Sequence, residues 1–197
     1  KQSQIKEFVT NLNITPEYEN DFINESHSIG GFNGVNPLQM AAAYATFARG
    51  GTYIEPHSFT KLEYTDSGNI LEVKPKKVQA MGEDTAYMIN MILKYAVTSG
   101  QIGAGSVSGT DIAAKTGTST VGSAIKKQLG IKGNIIGDSW EVAFSPDYAI
   151  ATWYGYPQIT KEYYLTSSEG GTARKKITKT LVKGIMKKNS RFKRPSG

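Results

Sequence analysis

The sequence feature that most constrains the fold is a capped, alanine-rich helix in the first third of the chain. Asn36 suits the N-cap and Pro37 suits the first helical position, so together they mark a helix start. Residues 38–48 are rich in alanine, and Gly50-Gly51 then ends the pattern. Alanine has the highest helix propensity, and its small side chain allows neighbouring elements to approach closely. The sequence therefore predicts a buried helix.

The remaining apolar patterns predict an α+β fold. The predicted elements are a helix at 3–12, extended chain at 52–64 joined by a turn at 66–69 to a strand at 70–73, a helix at 83–98, strands at 112–116, 140–144 and 148–154, and a helix at about 172–187. This order favours an antiparallel sheet covered by helices. No internal repeat or low-complexity linker divides the chain, so we expect one domain.

The net charge of +6 is unevenly distributed. Residues 174–194 carry ten Lys or Arg and no acid, whereas residues 1–73 carry four basic and nine acidic side chains. Such a basic run is typical of a solvated helix face, and we expect residues from about 188 to 197 to form a frayed tail. We do not interpret the charge as a nucleic-acid site.

Several functional classes lack support in the sequence. The chain has no cysteine, which excludes disulfides, thiolate metal sites and a cysteine nucleophile. His27 and His57 are far apart and have no ligand spacing, so we expect no metal. The phosphate-binding glycine motifs are absent, and we expect no cofactor. No apolar run is long enough to span a bilayer, so we expect any membrane anchor to lie outside this chain.

The strongest chemical signal is Lys115-Thr116-Gly117-Thr118-Ser119, the KTGTS segment, at the end of an apolar strand. Lysine supplies a positive charge, and the hydroxyls can bind a carboxylate. Gly117 lets another chain lie close, so that backbone groups can pair with an extended peptide. The alternative is an ordinary strand end with a polar turn.

Three further segments give the KTGTS segment a family context. Residues 37–51 (PLQMAAAYATFARGG), within 30–51, precede it, while residues 137–147 (GDSWEVAFSPD) and 153–156 (WYGY) follow it. Together and in this order they resemble the penicillin-binding transpeptidases, whose signature includes K-T-G. The alanine-rich segment and the Asp-x-Trp pattern resemble those of the bifunctional class A members more than those of the class B members. Where a typical member has Phe, this chain has Glu141, a departure with no obvious effect on the site.

The resemblance implies a β-lactamase-like fold and a serine acyltransferase. Such an enzyme attacks the D-Ala-D-Ala end of a peptidoglycan stem peptide and passes the acyl group to an amine of a neighbouring stem, and β-lactams acylate the same serine. By resemblance, Lys115 gives electrostatic and proton-relay help, and Thr116 shapes the strand. Thr118 contributes an oxyanion-hole N–H and Ser119 assists carboxylate binding. The implied location is the extracytoplasmic side of a bacterial membrane.

The family's S-x-x-K and S-x-N motifs should precede the segments described above. The local matches are Ser3, Ser58, Ser123 and Ser190 for S-x-x-K and Ser67-Gly68-Asn69 for S-x-N. None has the family's setting, and Ser123 falls in an expected loop. We therefore expect residues 1–197 to be the C-terminal portion of a single transpeptidase domain without its nucleophile. The isolated chain should be inactive, and the rest of the domain should be its partner.

Two alternatives remain open at this point. One is a β-lactamase or a β-lactam sensor. The segment at 37–51 is more typical of a transpeptidase than of either of these. The other is a non-catalytic module that holds a wall peptide or partner protein at the edge of the KTGTS strand.

Overall fold

The computed structural model describes residues 1–17, 23–32 and 34–196. The helices are α1 (Gln2–Asn11), α2 (Pro37–Ala48), α3 (Glu83–Thr98), α4 (Ser123–Leu129) and α5 (Ser167–Ile185), with a short 3-10 helix at Glu25–Ile29. The strands are β1 (Thr52–Ile54), β2 (Lys61–Glu63), β3 (Ile70–Glu72), β4 (Lys77–Gln79), β5 (Ala113–Thr120), β6 (Ile135–Phe144), β7 (Ala149–Gly155) and β8 (Leu165–Thr166). None of the helices in these ranges is long and apolar enough to cross a membrane.

The central sheet is antiparallel, with strand order β5-β6-β7 and β8 paired to β6. Lys115 lies opposite Val142 in the β5–β6 register. Phe144 lies opposite Ala149, so the short connection at 145–147 joins β6 and β7 as predicted. Within the described residues β5 pairs only with β6, which makes it an edge strand.

Helices cover both faces of this sheet. On one face, Ala143 packs in a buried cluster with Val182 of α5. On the other face, Phe144 packs with Tyr44 of α2 and Met91 of α3. Successive residues of a strand point to opposite faces, so neighbouring positions on β6 belong to different cores. The prediction of an antiparallel sheet covered by helices is confirmed.

The predicted start and end of α2 have clear physical causes. The Asn36 side chain accepts a hydrogen bond from the Gln39 N–H at 2.9 Å, and the Gln39 side chain accepts one from the Asn36 N–H at 3.1 Å. These two bonds form a capping box. Gly51 has φ of +88°, and a Cβ there would lie 2.1 Å from the Met81 carbonyl oxygen. Only glycine fits this position.

The hairpin prediction is confirmed in part. Strands β2 and β3 pair antiparallel around the predicted turn, with Leu62 opposite Leu71. The beginning of the predicted extended segment is not part of this hairpin, because β1 pairs with β4 and places Tyr53 opposite Val78. Tyr53 is buried in a cluster with Ala42 and Ala43 of α2 and with Leu12, which directly follows α1, and this cluster gives β1 a core that the hairpin lacks.

The last helix begins earlier than predicted. Thr166 and Glu169 form a capping box at its start, in which the Thr166 hydroxyl accepts from the Glu169 N–H. The glycine pair at 170–171 lies inside the helix. A Cβ at Gly170 would be 2.6 Å from Ile136 Cδ1, so this position lies close to the sheet. The glycine here allows close packing of helix on sheet. Helix α4, β8 and the first part of β6 were not predicted.

The C-terminal segment packs on the core, which contradicts the expected frayed tail for residues 190–192. The Asp111 N–H donates to the Ser190 carbonyl at 2.8 Å, and Asp111 Oδ2 accepts from the Phe192 N–H at 3.2 Å. Phe192 is buried, with its ring centroid 5.7 Å from that of Phe144. Lys94 Nζ lies 2.8 Å from Asp111 Oδ1, which compensates the buried charge.

Replacement of Phe192 by alanine tests this packing. We expect Phe192→Ala to lower the free energy of unfolding by about 3 kcal/mol, because it removes a buried aromatic ring from a packed core. Urea unfolding followed by circular dichroism measures the loss. The matched control is Lys193→Ala at the next, exposed position, with an expected change within about 0.5 kcal/mol. Equal, small effects at both positions would contradict this packing and support the prediction of a frayed tail.

Candidate active site

A cleft of about 700 Å³ lies between β5 and the segment that leads into α2. One wall is formed by residues 115–120 of β5, and the other includes residues 29–32 and 34–37. Further lining side chains come from α2, β6 and β7, namely Met40, Tyr44, Asp138, Trp140, Val142 and Trp153. The fold therefore brings the KTGTS segment together with the other segments that carry the family resemblance.

All five residues of the KTGTS segment line the cleft. Lys115, Thr118 and Ser119 are exposed, whereas Thr116 and Gly117 are half-buried. Lys115 Nζ donates a hydrogen bond to the carbonyl oxygen of Thr116 at 2.6 Å. The segment ends the edge strand β5, so the cleft presents a strand edge with positive charge and hydroxyls.

Asp138 connects two neighbouring side chains across the strands. The Ser119 hydroxyl donates to Asp138 Oδ2 at 2.6 Å, and the Trp153 indole N–H donates to Asp138 Oδ1 at 2.8 Å. An ionised carboxylate only accepts hydrogen bonds, so the hydroxyl hydrogen of Ser119 is used by Asp138. In this arrangement Ser119 offers lone pairs to the cleft, and its assignment to carboxylate binding stays a prediction.

Arg174 of α5 holds the middle of the KTGTS segment. One of its terminal nitrogens, Nη1, donates to the Gly117 carbonyl at 2.8 Å and to Thr118 Oγ1 at 2.7 Å. No local feature of the sequence distinguishes this arginine, because it is the first residue of the basic run that we interpreted as a solvated helix face. The contact depends on how α5 crosses the sheet, which periodicity alone does not specify.

Glu141 is buried between the sheet and α5. Its side chain is only 1% exposed, and its Oε1 has no hydrogen-bond partner within the described ranges. Burial raises the pKa of Glu141 because it disfavours the charged form, while the positive charges of Arg174 and Lys175 partly offset this rise. The departure from the family pattern noted in the sequence therefore places an acid directly behind the KTGTS strand.

The candidate S-x-x-K serines lie away from the cleft. Ser119 is the one serine that lines it in the described part of the chain. Ser123 is the first residue of α4 rather than part of a loop, so that expectation is corrected. Lys126 follows it by one turn, but its Nζ donates to the Gly133 carbonyl at 3.2 Å. Ser3 lies on α1, whereas Ser67 lies in the β2–β3 turn.

The two histidines form no shared site. His27 Nε2 lies 3.6 Å from a Glu17 carboxylate oxygen, and its ring packs edge-on against Phe32. His57 Nδ1 lies 3.1 Å from the Glu55 carbonyl oxygen. Across residues 1–17, 23–32 and 34–196, no group of three or more acidic or histidine side chains is arranged to hold a metal ion.

A double-mutant cycle tests the bond between Asp138 and Trp153. We expect Asp138→Ala and Trp153→Phe to show an interaction free energy of about 1 kcal/mol, because the indole donates to a charged and partly buried acceptor. Urea unfolding of the two single variants and the double variant measures it. The control cycle replaces Asp138→Ala by Asp66→Ala, a change in the exposed β2–β3 turn, and should be additive. Additivity in the first cycle would contradict the contact.

The comparisons with known proteins agree with this geometry. A family model described as penicillin binding protein transpeptidase domain matches residues 4–183. Penicillin-binding protein 1A/1B of Bacillus subtilis (strain 168) is 36% identical over 178 residues, which are 89% of this chain and 19% of that protein. Penicillin-binding protein 1A of Clostridium tetani (strain Massachusetts / E88) is 30% identical over 177 residues, which are 85% of this chain and 20% of that protein.

Among solved structures, penicillin-binding protein PonA1 of Mycobacterium tuberculosis shares the fold, with a TM-score of 0.66 and 20% identity over 100% of this chain and 52% of that chain. The chain spans about a fifth of the length of the two curated relatives. The family match covers most of the chain, and the two curated relatives are named penicillin-binding protein 1A/1B and penicillin-binding protein 1A. The chain thus belongs to the penicillin-binding protein transpeptidase family, within its class A members.

Proposed function

We propose that this chain supplies the substrate-binding strand of a D,D-transpeptidase that cross-links peptidoglycan stem peptides and is acylated by β-lactams. The observation that carries the proposal is the position of the KTGTS segment on an open strand edge that forms one wall of the cleft. An edge strand has unpaired N–H and C=O groups that can bind an extended peptide as an added strand.

The proposed reaction has two acyl-transfer steps. A serine oxygen attacks the carbonyl between the last two D-Ala residues, the C–N bond breaks, and the leaving amine takes a proton. An amine of a second stem peptide then attacks the resulting ester, which forms the cross-link and returns the serine hydroxyl. Each step passes through an oxyanion, and the Thr118 N–H would stabilise it. Lys115 would supply positive charge and assist proton transfer, while Thr116 shapes the strand.

We further propose that residues 1–197 are the C-terminal portion of a single transpeptidase domain. The nucleophilic serine, its lysine and the S-x-N motif would then come from the rest of the same domain, which is the partner of this chain. The complete protein would act on the extracytoplasmic side of a bacterial membrane, with its anchor outside this sequence. The proposed reaction uses no metal, cofactor or nucleic acid.

A non-catalytic peptide-binding module is the second candidate. It is favoured by one observation, namely that none of the S-x-x-K serines of this chain lines the cleft in its described part. Such a module would use the same strand edge but would form no covalent intermediate, so acylation distinguishes the two functions.

Replacement of Lys115 tests the catalytic assignment in the complete protein that carries this sequence. We expect Lys115→Ala to lower the rate of acylation by a fluorescent penicillin about 100-fold or more, because it removes the charge and the proton-transfer aid. Gel fluorescence over time measures the rate. The control is Lys132→Ala, at an exposed position outside the cleft, with an unchanged rate. An unacylated wild-type protein would favour the binding module.

The chain alone gives the complementary test. We expect the purified 197-residue chain to form no covalent adduct with the same penicillin, because a serine needs an adjacent base for activation. Intact-mass spectrometry detects an adduct directly. A stoichiometric adduct mapped to Ser3 or Ser123 would refute the assignment of the nucleophile to another part of the protein.

A further inference from the structure

The buried acid Glu141 lies in a polar layer between the sheet and α5. Its neighbours across the strands are Thr116 on β5 and Thr152 on β7. Thr178 of α5 is also buried and donates a hydrogen bond to Thr152 Oγ1 at 2.9 Å. A buried carboxylate is costly unless hydrogen bonds or a positive charge compensate it, and Glu141 Oε1 has no hydrogen-bond partner within the described residues.

Arg174 is placed to compensate Glu141 and to reach the cleft at the same time. It lies one helical turn before Thr178, so both side chains leave α5 on the face that covers the sheet. Its positive charge lowers the pKa of Glu141, and its guanidinium donates hydrogen bonds to the Gly117 carbonyl and to Thr118 Oγ1. A single side chain thus connects a buried acid with the proposed substrate-binding strand.

The hydrogen-bond directions at the two cleft hydroxyls differ. Arginine only donates, so Thr118 Oγ1 accepts from Arg174 and keeps its own hydrogen for another acceptor. Ser119 donates its hydrogen to Asp138 and has none left to give. Of these two hydroxyls, only that of Thr118 can donate to a bound anion while the observed bonds are kept. The adjacent guanidinium adds a positive charge that favours such an anion.

We propose that Arg174 is a positioning residue that directs the Thr118 hydroxyl toward the free carboxylate of the substrate, and that Glu141 holds Arg174 in place. This inference rests on the proposed function and names the chemistry that the strand recognises, a peptide or β-lactam with a free carboxylate. Arg174 acts through Thr118, and Glu141 acts through Arg174.

The electrostatic surroundings of Glu141 define how the pair responds to pH. The charged groups that act on it are Arg174 and Lys175, both on α5. The groups facing it from β5 and β7 are the uncharged Thr116 and Thr152. Ionised Glu141 attracts Arg174, and this attraction is lost as the pH falls through the pKa of the carboxyl. The contribution of Glu141 to the site is therefore present above the pKa of its carboxyl and lost below it.

The first test uses the complete protein and compares benzylpenicillin with its methyl ester. We expect Arg174→Met to weaken the apparent affinity for benzylpenicillin about tenfold, because a charge-assisted hydrogen bond to its carboxylate is lost, while the limiting acylation rate changes little. The ester has no carboxylate charge and should show no such loss. Arg174→Lys should restore part of the affinity. The control is Lys176→Met on the exposed face of the same helix.

The second test concerns Glu141. We expect Glu141→Gln to weaken the apparent affinity for benzylpenicillin about threefold at a pH at which Glu141 is ionised, with the difference from wild type vanishing as the pH falls through the pKa of that carboxyl. In the Arg174→Met background, Glu141→Gln should have no further effect. Equal losses for penicillin and ester, or a full effect of Glu141→Gln without Arg174, would overturn the proposal.

A third measurement separates this proposal from the proposed function. The carboxyl of Glu141 can be titrated by carbon-13 NMR in the chain and in its Arg174→Met variant. Removal of the neighbouring cation should raise the titration midpoint. If the complete protein is not acylated, the transpeptidase proposal fails, and this titration still tests the pair. An unchanged midpoint would refute the interaction between Glu141 and Arg174.

Discussion

The pairing of β5 with β6 is the interaction on which the rest of the structure depends. Its register places Lys115 opposite Val142 and Thr116 opposite Glu141. Because strand side chains alternate, this register assigns one set of residues to the cleft and the other to the layer beneath α5. A shift by one residue would exchange the two sets, so that polar groups of the cleft would enter the core under α5. The apolar clusters on both faces resist such a shift.

The same pairing determines which backbone edge of β5 lies beside the cleft. One edge of β5 pairs with β6, and within the described residues no strand pairs with the other edge, beside the cleft. The neighbouring side chains then modify this edge in different ways. Asp138 takes the hydrogen of Ser119, whereas Arg174 supplies a charge and two hydrogen bonds. Two adjacent hydroxyls in one motif therefore have opposite hydrogen-bonding roles.

The sequence predicted the parts of the fold that local chemistry determines. Asn36, Pro37 and the glycine pair bounded α2 correctly because capping and glycine conformations act over a few residues. The start of α5 was placed too late, at about residue 172, and the function of Gly170 inside this helix is close packing on β6. That function depends on a contact distant in sequence. The capping residues Thr166 and Glu169 were a local signal that could have located the true start.

The candidate site also combines features that local sequence predicts with features that depend on contacts distant in sequence. The KTGTS segment could be found by its pattern, and the structure places it in the cleft. The role of Arg174 could not be found, since ten basic residues share its stretch of sequence and nothing local separates it from the others. Glu141 was visible as a departure from the family pattern. Its burial could not be inferred, because a strand covered on both faces does not alternate between apolar and polar residues.

The docked C-terminal segment ties the end of the chain to the start of the site. Asp111, which holds Ser190 and Phe192, stands just before Ala113, the first residue of β5. Residues about eighty positions apart in sequence thus close a loop around α5 and the strands between them. Residues 190–192 therefore hold the segment of chain that leads into β5. Removal of residues 190–192 would alter the anchoring of this strand, although none of the three lines the cleft.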